Sequence, residues 1–243
     1  MLKKQVIIAQ NKSDLALKGA DLFISLCNHF MKTTGQFRVA LAGGSTPQAL
    51  YATLADKKQI EWGKIQIFFS DERFVPLKSE QSNYYQINKS LFEKIVVPEE
   101  NIHPIFTSDL TLEETAQKYQ LDIESNLERN NPSFDLILLG VGTDGHTASL
   151  FPLLYKPQKD EAFVLAIKDS PTPPSNRISF SARLINNAQN VIVLASGKEK
   201  APVIKKILEN KGAIKTLPVS MIKPENGNLF WLLDQEATSF LKK

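Results

Sequence analysis

Cysteine is almost absent: Cys27 stands alone among 243 residues, so no disulfide can form within the chain and a reducing compartment is expected. Long apolar runs are missing too. No stretch approaches the ~20 residues that span a bilayer, and the apolar run in MLKKQVIIAQ is far shorter than a signal-peptide core. A cytoplasmic protein with no membrane partner is expected. Excess charge is scarce as well: the net charge is only +3, and the lysines scatter over probable helix faces, which gives a nucleic-acid partner no support. Histidine is limited to His29, His103 and His146. No two of them fall at ligand spacing and the carboxylates follow no metal-loop pattern, so no metal is expected.

What remains is an ordinary globular chain. A content of 42% hydrophobic and 23% charged residues excludes disorder, and the length suffices to bury a substantial core. Short apolar runs at Val6–Ala9, Arg38–Ala42, Ile65–Ser70, Leu136–Val141, Phe163–Ile167, Ile178–Ser181, Val191–Ala195, Val219–Ile222 and Leu229–Leu233 predict strands. Between the first two, Leu15, Gly19, Leu22, Phe23, Leu26 and Phe30 recur at helical spacing and place Cys27 in a packing role. Helices are also expected over 47–57, 83–95, 112–129 and 199–210, the third opened by a Thr111/Glu114 capping box. The alternation predicts an α/β fold, a mainly parallel sheet with helices on both faces, in a single domain over 1–243.

Glycine gathers where these strands end, and in open α/β sheets ligands bind there. LAGGSTPQALY, residues 41–51, runs from a strand through Gly43 and Gly44 to Ser45 and Thr46, with Pro47 expected at the first helical position. Two readings are open: a phosphate site made by freed N–H groups and the helix dipole, or a plain N-cap. It is not a Walker loop, since no Gly-Lys-Ser/Thr follows, nor a nucleophile elbow, since Pro47 stands where glycine is required. FFSDERFVP, residues 68–76, sets Asp71, Glu72 and Arg73 at the next strand end, either as a surface charge cluster or with Arg73 holding a phosphate through its planar fork.

The third mouth is LILLGVGTDGHTASLFP, residues 136–152. Its GVGTDG matches the dinucleotide pattern G-x-G-x-x-G, and Asp169 lies near the spacing of a ribose-binding acid. Pro152 and Pro157 leave little room for the crossover helix, however, and Asp144 would face a pyrophosphate. His146 is the better candidate for chemistry, because an imidazole can take up and return a proton near neutrality. Arg177, in PPSNRISFS, and Lys198 and Lys200, in VIVLASGKEKA, add positive charge at two more sites. Glycine, hydroxyl, guanidinium and ammonium groups at four strand ends describe a pocket for a small phosphorylated molecule.

GGSTP at 43–47, SDER at 70–73, GxGxDGHTASLFP at 140–152, PPSNRIS at 173–179 and GKEKA at 197–201 together resemble the 6-phosphogluconolactonases. The resemblance implies a modified Rossmann-like fold related to the glucosamine-6-phosphate deaminases, with no obligatory metal or nucleotide. It also implies hydrolysis of 6-phosphogluconolactone to 6-phosphogluconate in the oxidative pentose phosphate pathway. In the deaminase branch an acidic residue precedes the proline after the histidine; here Phe151 stands there. On this reading His146 activates water and Asp144 orients the ring or supports the turn. Gly43, Gly44, Ser45, Thr46, Asp71, Arg73, Arg177 and Lys200 bind the substrate, with Lys200 preferred to Lys198, and turn amides serve the oxyanion. A deaminase-like enzyme and a non-catalytic sugar-phosphate sensor are the alternatives. The oligomeric state is not legible.

Overall fold

The computed structural model describes residues 3–128, 131–158, 161–209 and 216–242. Two sheets form. The larger has six strands, β1 (Lys3–Ala9), β2 (Phe37–Leu41), β3 (Ile65–Phe69), β5 (Leu136–Gly140), β8 (Asn190–Ala195) and β9 (Asn228–Asp234), every neighbouring pair parallel, in the order β1-β9-β8-β5-β2-β3. Val, Ile, Leu and Phe fill β2, β3, β5 and β8 because both faces are covered, as parallel sheets require. One face receives α1 (Lys12–Thr33) and α2 (Ser45–Ala55), with Phe23 meeting Phe37 edge-on at 5.4 Å.

The other face is covered by a smaller antiparallel sheet and α4 (Leu112–Asn126). That sheet has the order β4-β7-β6, from Asp71–Arg73, Arg177–Phe180 and Val164–Ile167. A chain of rings joins the layers: Phe68 of β3 meets Phe134 at 5.2 Å, Phe134 stacks on Phe180 of β7 at 5.3 Å, and Phe180 stacks on Tyr119 of α4 at 6.2 Å. Helices α3 (Asn83–Ser90), α5 (Ala182–Asn186) and α6 (Ala201–Glu209) complete the fold. Among the described residues no helix is long and apolar enough to cross a membrane. Cys27 is buried, and desolvation pushes its thiol up to about 11, which fits packing.

Three sequence expectations change. Val219–Ile222 is not a strand: Pro218–Met221 is a 3-10 turn, opened by a proline that cannot donate to a ladder. Asp71–Arg73 is not a loop but β4. Helix α3 stops at Ser90, with a separate 3-10 turn at Phe92–Lys94, where the sequence suggests one helix over 83–95. The final residues expected of two helices, 129 and 210, lie outside the described residues.

Strand β2 is followed by β3 on one side, and then the chain crosses to β5 on the other. The topological switch point therefore falls between β2 and β5, and their C-terminal ends splay open there. Two tyrosine hydroxyls brace the neighbouring strand ends. Tyr51 of α2 bonds both N–H and C=O of Ala42, at 2.9 and 2.8 Å, and Tyr119 of α4 does the same for Phe69, at 2.8 and 3.2 Å.

Candidate active site

A cavity of about 270 Å³ opens at this switch point. Gly43, Gly44, Ser45, Thr46, Asp71, Arg73, His146, Arg177 and Lys200 all line it, so five separate segments of the chain converge. Asp144 stands behind His146 rather than in the wall. Lys198 is not among the lining residues, which fits the choice of Lys200. Asn83, Ser196 and Glu199 also line the cavity, and none of the three was singled out from the sequence.

The glycine loop departs from a plain cap. Helix α2 begins at Ser45, two residues earlier than the proline suggests, and its N-cap is Gly44 at φ 103°, a left-handed backbone that favours glycine. No side chain caps this end. The first-turn N–H groups of Ser45 and Thr46, with the positive end of the dipole, are thus left for a ligand.

The turn after β5 is tied up within itself. Gly142 N–H donates to the His146 carbonyl at 2.9 Å, Gly145 N–H to the Gly142 carbonyl at 3.0 Å, and His146 N–H to Asp144 Oδ1 at 3.1 Å. These amides are spent, so the expectation that they serve an oxyanion is corrected for all three. The same carboxylate oxygen sits 2.6 Å from His146 Nδ1. Desolvation pushes the Asp144 carboxyl up, but hydrogen bonds from the His146 ring and backbone outweigh it, and the group lies below the ordinary carboxylate value. An ionised carboxylate only accepts, so Nδ1 carries the hydrogen, and in the neutral ring Nε2 is the acceptor. A Cβ on Gly142 would stand 2.1 Å from His146 Nδ1, and one on Gly145 would stand 2.8 Å from Leu217. The Leu217–Ile222 segment buttresses this turn, with Val219 N–H donating to Gly145 O at 3.2 Å.

Phe151 is buried against the His146 ring, 4.5 Å between centroids, and the Arg177 guanidinium lies 5.4 Å from the same phenyl ring. Arg177 has a second duty. Its Nε donates to Ser170 Oγ and Pro174 O, both at 3.1 Å, and its Nη2 to the carbonyl and hydroxyl of Thr172, both at 2.9 Å. It therefore clamps the proline-rich loop while facing the cavity. Burial, assisted by Arg73, lowers its pKa against the opposing pull of Asp71. Arg73 and Arg177 are direct partners across the antiparallel β4–β7 pair. Like charges so placed repel. Neither has an ion-pair partner among the described residues, and Arg73 Nε is buried without a hydrogen bond there.

Glu72 holds this arrangement from below. Fully buried, it accepts from the N–H groups of Arg73, Asn83 and Tyr84 at 2.7, 2.7 and 2.8 Å and from the Ser82 hydroxyl at 2.9 Å, tying β4 to the start of α3. Desolvation nevertheless raises it from 4.5 to about 7 against those four donors. The raised value makes the protonated form the one that favours folding: its contribution is complete below pH 4.5 and is lost as pH rises through about 7. Replacing Glu72 by Gln should flatten the pH dependence of unfolding free energy in this window by on the order of 3 kcal/mol, read from urea melts at pH 5 and pH 8. An unchanged slope would show that Glu72 does not titrate there.

Fold and cavity together define a class: an α/β protein with a glycine-looped, arginine-lined cleft at its topological switch point, next to a paired histidine and aspartate. The chain belongs to the glucosamine-6-phosphate isomerases/6-phosphogluconolactonase family, whose model matches residues 10–231. A 6-phosphogluconolactonase of Nostoc sp. is 33% identical over 240 residues, covering 97% of this chain and 98% of that protein. The solved 6-phosphogluconolactonase of Trypanosoma brucei superposes with a TM-score of 0.88 at 30% identity, all of each chain being covered. A monomeric glucosamine-6-phosphate deaminase, 21% identical with a TM-score of 0.82 over 97% of this chain and 99% of its own, shares the scaffold.

Proposed function

We propose that this chain hydrolyses 6-phosphogluconolactone to 6-phosphogluconate, in a cytoplasmic setting that suits its single cysteine. The observation that carries the reading is one cavity lined by His146, with Asp144 bonded behind it, and by an arginine couple that has no ion-pair partner among the described residues. A phosphate dianion between Arg73 and Arg177 cancels their repulsion, and Lys200 with the N-terminus of α2 completes the grip. Anchoring the phosphate fixes the lactone carbonyl at the far end of the substrate. Nε2 of His146 takes a proton from water as it attacks that carbonyl, and Asp144 steadies the imidazolium. The same proton then passes to the ring oxygen as the ester bond breaks. Phe151 favours this reading over amine loss: it fills the position against His146 with a ring that carries no proton.

Fresh 6-phosphogluconolactone tests the proposal. Acid release above the spontaneous rate, in proportion to protein added, is the expected result. Ammonia released from glucosamine 6-phosphate would point to a deaminase, and binding without acceleration to a sensor.

A further inference from the structure

We propose that Asn83 is a positioning residue for the anion grip: its side-chain amide locks Gly43 of the glycine loop to Asp71, and its bulk is the reason position 43 carries glycine. The inference rests on the reading of that loop as the phosphate site. Asn83 is the first residue of α3 and is 1% exposed. Its Nδ2 donates to the Asp71 carbonyl at 2.8 Å and to Asp71 Oδ1 at 3.3 Å. Those two acceptors fix which end of the amide is nitrogen, so Oδ1 must face the opposite way. There it meets Gly43: a Cβ at that position would lie 1.9 Å from Oδ1 and 2.4 Å from Cγ of Asn83.

Two further observations separate this from ordinary packing. Gly43 does not have the left-handed backbone of its neighbour Gly44, so no positive φ calls for glycine there. The excluding object is Asn83. Moreover, Oδ1 is buried without a hydrogen-bond partner among the described residues, a cost that a merely space-filling side chain would avoid. Asp71 is held from its other side by Ser149, whose hydroxyl donates to Oδ2 at 2.7 Å, and Ser149 N–H donates to Ser179 Oγ of β7 at 3.1 Å. One connected path thus runs from the glycine loop through Asn83 and Asp71 to the strand that carries Arg177. The two halves of the grip are held in register by it.

Kinetics and melting of Gly43→Ala, Asn83→Ala and the double variant test the lock. Gly43→Ala is expected to raise KM for the lactone at least ~10-fold with a smaller change in kcat, and to abolish the rise in melting temperature that inorganic phosphate gives the native protein. In the double variant the new methyl group has room. Its KM should lie within ~3-fold of Asn83→Ala alone, and part of the phosphate response should return, a strong departure from multiplied losses. Asn83→Ser, smaller and still a donor, replaces the alanine variant if that one does not fold. Multiplied losses, a loss confined to kcat, or an unaffected Gly43→Ala would overturn the lock. A native protein inert toward lactone, but with a phosphate response lost in Gly43→Ala and regained in the double variant, would overturn the proposed reaction and support the lock.

Discussion

Replacing His146 with alanine is expected to slow lactone hydrolysis ~10²- to 10⁴-fold while leaving the affinity for 6-phosphogluconate nearly unchanged. The split follows from where the ring stands. Its Nδ1 is engaged by Asp144 at 2.6 Å and its face rests on Phe151, but Nε2 has no partner among the described residues, so that nitrogen is free to move a proton. Asp144→Asn should also slow the reaction with affinity preserved, because an amide no longer fixes the ring tautomer. The substitution keeps the shape of the turn but supplies an amide that cannot stabilise the imidazolium. Initial rates on fresh lactone, set beside calorimetric titration with the product, read both quantities. A loss that appears in affinity and spares kcat would make His146 an anchor.

The second large effect is at Arg177. Its alanine variant is expected to raise KM roughly 10- to 100-fold, the range that corresponds to one charge-assisted hydrogen bond of about 1.5–3 kcal/mol. It should also melt at a lower temperature, because the side chain holds Ser170, Thr172 and Pro174 in place. Lys200→Ala separates the two roles: Lys200 lines the cavity on a short 3-10 turn and its side chain makes no hydrogen bond or ion pair among the described residues, so KM should rise with the melting temperature preserved. Arg177→Lys will not rescue, since an ammonium lacks the fork that serves both loop and cavity. Affinity left intact in both alanine variants would remove the phosphate from this end of the cleft.

Much of this was legible because local signals coincide with global ones. Apolar runs that end in glycine mark buried strands and their mouths, and eight of the nine expected strands form; the four loops gather because parallel strands bring their C-terminal ends together. The Thr111/Glu114 box forms as read, with both reciprocal bonds present. What was hidden is non-local. Nothing near Asp71–Arg73 announces a strand, since its pairing partner lies about a hundred residues away in β7. Asn83 and Glu72 are likewise defined by contacts across β4 and α3, and a polar residue opening a helix looks the same whether it faces water or a loop. Val219–Ile222 has the composition of a strand, but it is spent on supporting the active-site turn. The turn amides illustrate the same limit: glycines mark where a backbone can approach a ligand, and only the geometry shows that Gly142 and Gly145 direct their N–H groups inward.

A crystal structure with 6-phosphogluconate bound tests the central claim most directly, because the product displays both ends of the reaction at once. The phosphate should lie against Arg73, Arg177, Lys200 and the start of α2, with the C1 carboxylate about 3 Å from His146 Nε2 or one water away. A molecule seated in the reverse sense, or in a different part of the protein, would contradict the account.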